Sequence, residues 1–268
     1  MRVLRWFLGL LVAAVVVLVW ERATTWMRAA EIEGSVFFPP PSEIVSKLHT
    51  LWFSGPADRL FLTDAAYADL LPSMGRLLTG WSIAAVAGIL LGVALGRSRT
   101  FSQYIDPLLQ FGRAVPPPML ITVFIAMFQM GTQMQLVTIV FGVIWPVLLN
   151  SVEGARSVDA KFLDSAVVFG LTRVQRLTRV ILPAAAPKIS AGLRLSLSLA
   201  LILMVISELV GSTDGIGRHL LLSQRRFELA DMWAGILLLG VLGIILNAVF
   251  LAVERRVLAW HRQARQVI

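Results

Sequence analysis

The chain of 268 residues is 57% hydrophobic and 15% charged, with mean hydropathy +0.78 and formal net charge +8. A soluble domain is about 45–50% apolar and about 25% charged, so both departures point to the membrane. No cysteine is present, which excludes disulfides, cysteine-ligated zinc and iron–sulfur clusters; His49, His219 and His261 stand too far apart for an HExxH-type metal pair; and the positive charge is not gathered on a soluble domain, as nucleic-acid binding requires.

Leu4 to Trp20 is an apolar run flanked by Arg2, Arg5, Glu21 and Arg22. A basic start before a short apolar core suits a signal peptide, but no A-x-A-like cleavage site follows, and the run is just long enough to span. We read it as an uncleaved first transmembrane helix. Phe37-Phe38-Pro39-Pro40-Pro41-Ser42 predicts an extended stretch ending in a helix N-cap at Ser42. Beyond it Ile44, Leu48, Leu51 and Trp52 share one helical face, which predicts a short amphipathic helix on the outer membrane surface. A polar segment, Gly55 to Asp69, follows. Residues 1–72 thus form a first transmembrane helix with an extracytoplasmic segment, and residues 73–268 a five-helix core.

In that core, Leu77 to Gly96 is the second span. Gly80, Ala84, Gly88, Gly92 and Gly96 recur every fourth residue, a small-residue stripe that lets another helix approach closely. Arg97-Ser98-Arg99 ends the span, and Phe101 to Arg113 predicts a short surface helix. Pro116-Pro117-Pro118 breaks the chain. Met119 to Met130 and Gln135 to Leu149 are spans three and four around a turn at Gly131-Thr132-Gln133; both are short, and flanking residues or bilayer thinning must supply the length. Residues 150–190 are polar and basic. Ala191 to Val210 is span five, Gly211 to Asp231 a polar connection, and Met232 to Val253 span six.

The Lys/Arg bias orients these six helices with both termini in the cytoplasm. Arg22, Arg28, Lys47, Arg59, Arg76, Arg218, Arg225 and Arg226 then lie outside, and the other 16 of the 24 basic residues, including Arg255, Arg256, Arg262 and Arg265 of the tail, lie inside.

About 40 residues separate spans four and five, and Phe162, Leu163, Ala166, Val167 and Phe169 are too apolar for a disordered connection. Such a segment either lies on the lipid surface or packs on a partner. Asp164 to Phe169 predicts one short helix, ended by Gly170 in the left-handed conformation, and Leu171 to Val180 a second, stopped by Pro183. Arg173, Arg176 and Arg179 fall roughly on one face, solvated or in contact with phosphate or protein.

Asp164-Ser165-Ala166, three residues, Gly170, nine residues, then Val180-Ile181-Leu182-Pro183 resembles the EAA loop of binding-protein-dependent ABC permeases, E-A-A-x3-G-x9-I-x-L-P. Asp164 stands for the Glu, Ser165 for the first Ala and Val180 for the Ile; Ala166, Gly170, Leu182 and Pro183 match. Phe38-Pro39-Pro40-Pro41-Ser42, Arg113 to Pro117, Gly154 to Asp159 and Ser207-Glu208-Leu209-Val210-Gly211 resemble stretches of the nitrate, sulfonate, taurine and bicarbonate permeases. That subgroup includes relatives for thiamine-precursor pyrimidines and other small ring compounds. Met127-Phe128-Gln129-Met130-Gly131 departs from its W-F-G-x-G.

The resemblance implies the type I ABC importer permease fold in a bacterial cytoplasmic membrane. It implies a second permease copy in a homodimer, two cytoplasmic ABC ATPase subunits docked on the 153–190 loop, and an extracytoplasmic substrate-binding protein. The cargo it implies is a small anion or, alternatively, a small ring compound. The chain itself has no GxxxxGK[ST], since Lys47, Lys161 and Lys188 all lack a preceding glycine. No cofactor is expected on it, ATP and Mg being bound by the ATPase, and it is not expected to be an enzyme.

Glu208 is the one acid placed inside a predicted span, where ionisable groups are costly. It either bonds a neighbouring helix or the interface, or serves as a gate or interhelical lock. Ser207, Gln129, Gln133 and Asn150 line a path or merely pack between helices. A secondary transporter would need buried acid–base relays and inverted repeats, and an intramembrane enzyme a nucleophile–base pair at membrane depth; neither is visible.

Overall fold

A computed structural model of the chain describes residues 2–260, the side chains of residues 2–6 and 99 excepted; Arg262 and Arg265 lie outside it. The described residues form helices joined by turns, with no strand among them: α1 (Arg2–Ala29), α2 (Pro41–Trp52), α3 (Leu71–Arg97, entered through a π-turn Ala66–Leu70), α4 (Arg99–Ala114) and α5 (Ile121–Phe128). They continue with α6 (Thr132–Arg156), α7 (Ala160–Val168), α8 (Arg173–Arg176), α9 (Leu182–Gly211), α10 (Ile216–Arg225) and α11 (Leu229–Val257). Five helical runs are long and apolar enough to cross a membrane, and a sixth crossing is available if Thr100–Ala114 and Pro117–Phe128, bent by 83°, count as one.

Several boundaries differ from those the sequence predicts. Helix α1 continues past Trp20 to Ala29, because residues 21–29 hold no glycine or proline to end it. Ser42 is not a cap: the N-cap is Pro40, proline occupies the first turn, and Ser42 bonds Glu21 instead, its N–H at 2.9 Å and its hydroxyl at 2.7 Å. Met119 to Met130 is no complete span. Its α-helical part has eight residues, about 12 Å of rise, against a hydrocarbon core of about 30 Å. Residues 211–231, read as a polar connection, contain α10.

The segment between spans four and five shrinks from both ends. Helix α6 runs on to Arg156, and one helical run extends from Arg173 to Gly211. Pro183 does not stop it. The turn before the proline, Leu177–Ile181, is π-helical, and this wider winding takes up the carbonyl that a proline ring would strike in a regular α-helix.

The chain forms two compact units, one of Met1–Pro72 with Asp214–Val241, the other of Ser73–Thr213 with Leu242–Ile268. In the first, α2 buries Ile44 and Trp52 and leaves Val45 exposed. The Trp52 ring meets His219 edge-on at 4.9 Å, and His219 Nδ1 lies 3.7 Å from Asp69. Trp233 stands edge-on to Trp20 at 5.4 Å and donates its indole N–H to the Phe37 carbonyl at 3.0 Å. Lys47 bonds Asp231 at 2.9 Å, and that hydrogen bond, with the carboxylate charge, raises the lysine pKa.

In the second unit the small residues set the helix register. A Cβ on Gly80 would meet Ile139, on Gly88 Val147, on Gly92 Ser151 and on Gly96 Ala155, all at 2.5–2.9 Å. Each pair is 59 residues apart, so α3 and α6 run parallel in close contact. Helix α9 packs antiparallel on α6, Gly142 against Leu203 and Gly192 against Asn150. The last part of α11 bonds α9 through Glu254 and Ser190 at 2.8 Å.

Candidate functional site

Two constellations combine built geometry with chemistry. The first is the segment that joins α6 to α9. Val158 is buried after the end of α6, and Asp159 caps α7 by accepting from the Lys161 N–H at 2.9 Å. At the far end of α7 the Gly170 N–H donates to the Val167 carbonyl and the Leu171 N–H to the Ala166 carbonyl, both at 2.9 Å, with Gly170 at φ +71°. These bonds form a Schellman motif, which needs a residue at ease in the left-handed region. Thr172 and Gln175 then form a capping box that starts α8.

The EAA-like residues divide by environment. Leu163, Val180 and Leu182 pack on the cluster of Val93, Ala155, Val158, Ile181, Ala185 and Ile189, fixing the segment to the ends of α3, α6 and α9. Ala166 is buried, Pro183 half-buried, and Asp164, Ser165 and Gly170 face outward. Around them Val168 is 84% and Phe169 81% exposed. A packed stem thus carries a short helix whose tip presents large apolar side chains to the outside. Of the three arginines, Arg173 and Arg179 are exposed, and Arg176 is half-buried with its Nε unpartnered.

The second constellation lies between α3 and α9. Arg76 Nη1 donates to Glu208 Oε1 at 2.8 Å, and the Ser73 hydroxyl lies 2.8 and 2.9 Å from the two carboxylate oxygens. Glu208 is 1% and Arg76 7% exposed. Sequence reasoning picked out Glu208 and put Arg76 among the outer basic residues. A signal was available: Arg76 extends the every-fourth stripe of Gly80, Ala84, Gly88, Gly92 and Gly96 by one step.

The other polar candidates do not join this pair. Ser207 is buried but donates to the Met204 carbonyl of its own helix, and Asn150 likewise donates to Pro146. Gln133 is exposed on the first turn of α6, and Gln129, at φ +61°, is exposed at the end of α5. Gln135, which sequence reasoning passed over, is one of several polar side chains fully buried among the described residues. It is 0% exposed, and neither amide atom has a hydrogen-bond partner. The constant 59-residue register of α3 and α6 sets Gln135 level with Arg76. No cluster of metal-ligating side chains occurs among the described residues.

Comparison with known proteins agrees with this architecture. The family described as binding-protein-dependent transport system inner membrane component matches residues 84–259. The Bacillus subtilis permease SsuC, named for aliphatic sulfonate transport, is 31% identical over 96% of this chain and 88% of its own length. The taurine transport system permease protein TauC of Escherichia coli K12 is 29% identical over 90% and 87%. The bicarbonate transport system permease protein CmpB of Synechococcus elongatus is 29% identical over 75% and 73%. Among solved structures, an inward-facing MetNI methionine ABC transporter superposes with TM-score 0.65 at 16% identity, covering 70% of this chain and 94% of that one, a likeness of fold.

Proposed function

The chain belongs to the binding-protein-dependent transport system inner membrane components, and on that premise we propose that it carries a small anion of the sulfonate, taurine or nitrate type. It is a multi-pass inner-membrane permease subunit of an ABC importer, a transport component rather than an enzyme. One observation carries the cargo: three relatives named for sulfonate, taurine and bicarbonate transport are each 29–31% identical over three quarters of the chain or more.

In this reading two copies of the chain form the pathway, with both termini in the cytoplasm. A soluble binding protein delivers the anion to the outer face, and two cytoplasmic ATPase subunits bind ATP and Mg. Asp164, Ser165, Ala166 and Gly170 form the coupling element seated on the ATPase, while Val180, Leu182 and Pro183 root it in the helices that move. The exposed Val168 and Phe169 support this, since apolar tips of that size call for a protein partner. Glu208 locks α3 to α9 and yields as the helices tilt between inward-open and outward-open states. Gly80, Ala84, Gly88, Gly92 and Gly96 hold α3 and α6 together as one moving body.

The test is reconstitution with the co-encoded ATPase and binding protein, followed by a screen of small anions and ring compounds for stimulated ATP hydrolysis. A sulfonate, taurine or nitrate-type anion is expected to stimulate; a ring compound acting alone would replace the cargo assignment. A chain that never co-purifies with an ATPase would overturn the assembly. Glu208→Gln with full stimulation and uptake would remove Glu208 from the mechanism.

A further inference from the structure

We propose that the ends of α3 and α6, together with the start of α4, form a binding site for an anionic phospholipid, its phosphate held by Arg97 and Arg156. These residues border a polar concavity of about 680 Å³ lined by Gly96, Arg97, Ser102, Gln103, Asp106 and Arg156. Its floor is ordered. Ser102 is 2% exposed, donates to Asp106 Oδ1 at 3.0 Å, and accepts from Arg156 Nη2. Asp106 Oδ2 lies 3.9 Å from the Arg156 guanidinium. The single carboxylate therefore offsets one of two guanidinium groups, and the exposed Arg97 has no ion pair among the described residues. The concavity keeps one uncompensated positive charge beside neutral donors, a setting suited to a phosphate monoanion.

What distinguishes a lipid from a soluble anion is the helix that leaves the cavity. The inward face of α4 is fixed, with Ile105 and Leu109 packed on Leu95, Leu148 and Val152, and Gly112 seated on the Trp145 ring. On its other side Phe101, Tyr104, Leu108 and Phe111 are 49–77% exposed. Their spacing of three and four residues makes one apolar stripe that begins beside the cationic cavity. Charge at one end and a continuous apolar track from there match a phosphate headgroup with its acyl chains; a free anion would leave the track unused. Basic pockets between membrane helices are sites of this kind, and the exposed stripe of α4, whose other side packs along α6, supplies the apolar part. This inference rests on the membrane placement given by the family, and it is independent of the cargo.

Native mass spectrometry of the assembled transporter, with phosphatidylglycerol or phosphatidylcholine added back, tests it. The wild type is expected to retain phosphatidylglycerol in preference to phosphatidylcholine. Arg97→Gln should cut that retention about fivefold, the effect of losing one cation near an anionic headgroup, with phosphatidylcholine unchanged. Equal retention by the variant would overturn the site, as would full displacement of the lipid by millimolar inorganic phosphate. Loss of the ATPase from a Leu108→Ser/Phe111→Ser double variant with lipid retention intact would make the stripe a protein-docking face instead. A second measurement leaves both arginines in place. The chain has no cysteine, so Gln103→Cys gives a unique label, and phosphatidylglycerol but not phosphatidylcholine should slow its reaction with a maleimide. An unchanged rate would refute the proposal.

Discussion

Glu208→Ala removes the carboxylate that Arg76 binds at 2.8 Å and leaves a guanidinium only 7% exposed. Breaking a buried ion pair from one side costs about 3–5 kcal/mol, because the remaining charge cannot recover its hydration. For a chain of this size about 1 kcal/mol moves the melting temperature by about 2–4 °C, so a fall on the order of 10 °C is expected. Glu208→Gln keeps an oxygen facing Ser73 and Arg76 but loses the charge, and should lie between, at about 1.5–3 kcal/mol. The informative variant is Arg76→Met/Glu208→Leu. Replacing both ions with apolar side chains of similar volume is often neutral or stabilising, so the double variant should melt near the wild type. Intrinsic tryptophan fluorescence of the purified transporter, scanned at one fixed rate because such unfolding is commonly irreversible, gives the comparison. If Glu208→Ala melts with the wild type, the pair carries no stability; if the double variant melts as low as the single, the loss is packing rather than the broken ion pair. A double variant that is stable yet no longer couples ATP hydrolysis to cargo would place the lock in the transport cycle.

The helix contacts and the segment between α6 and α9 give three further expectations. Gly92→Ala puts a methyl group 2.5 Å from the Ser151 Cβ and 2.6 Å from the Leu148 carbonyl oxygen, so α3 and α6 must separate at a cost of about 1–3 kcal/mol. Gly75→Ala on the same helix meets nothing within 4 Å and should leave the melting temperature unchanged or higher. Gly170→Pro imposes a φ near −65° where +71° is needed and deletes the N–H that bonds Val167. It should abolish cargo-stimulated ATP hydrolysis while the chain stays in the membrane fraction, whereas Gly170→Asn, which tolerates the left-handed region, should retain stimulation. Lys47 titrates above its ordinary value because Asp231 holds the charged form. Its contribution is therefore full below the unfolded lysine pKa of about 10.4 and disappears as pH rises through the higher folded value. Lys47→Met should lower the melting temperature by a small, constant amount from pH 7 to 9, a difference that closes at strongly alkaline pH; a gap that widens there would contradict the sign.

Hydropathy located the membrane crossings of α1, α6, α9 and α11 but drew each too short. The reason is physical. Helices here continue into residues such as Glu21, Glu153 and Glu254, whose charges find hydroxyl or lysine partners and so need not end a helix. Proline misled in the same direction. Pro183 reads as a stop, and the π-turn that accommodates it leaves no mark in a sequence period. At the candidate sites, Gly170 was legible because one backbone conformation explains its residue type. Arg76 was harder, since a lone basic residue near a helix end looks interfacial until the stripe it extends is seen to face another helix. Gln135 was harder still: a glutamine buried without partners has the same sequence signature as one bonded to its own helix.

The continuous helix from Arg173 to Gly211 ties the two constellations together. Pro183 and Glu208 lie on one rod, and the 25 steps between them rise about 38 Å at 1.5 Å per residue, longer than the hydrocarbon core of about 30 Å. A separate second helix ending at Pro183, as the sequence alone predicted, would have put a hinge between α7 and the span. The π-turn at Leu177–Ile181 instead passes the chain through the proline without a break, and Ile181 and Leu182 fasten that turn to the apolar cluster at the ends of α3 and α6. Force applied at α7 therefore reaches α9 through packed side chains and a hydrogen-bonded backbone, and α9 carries Glu208 at its far end. Under the proposed function, motion of the docking segment tilts the same rod whose opposite end is held by the Arg76 ion pair, so the bond resists the tilt at the largest lever arm the helix provides.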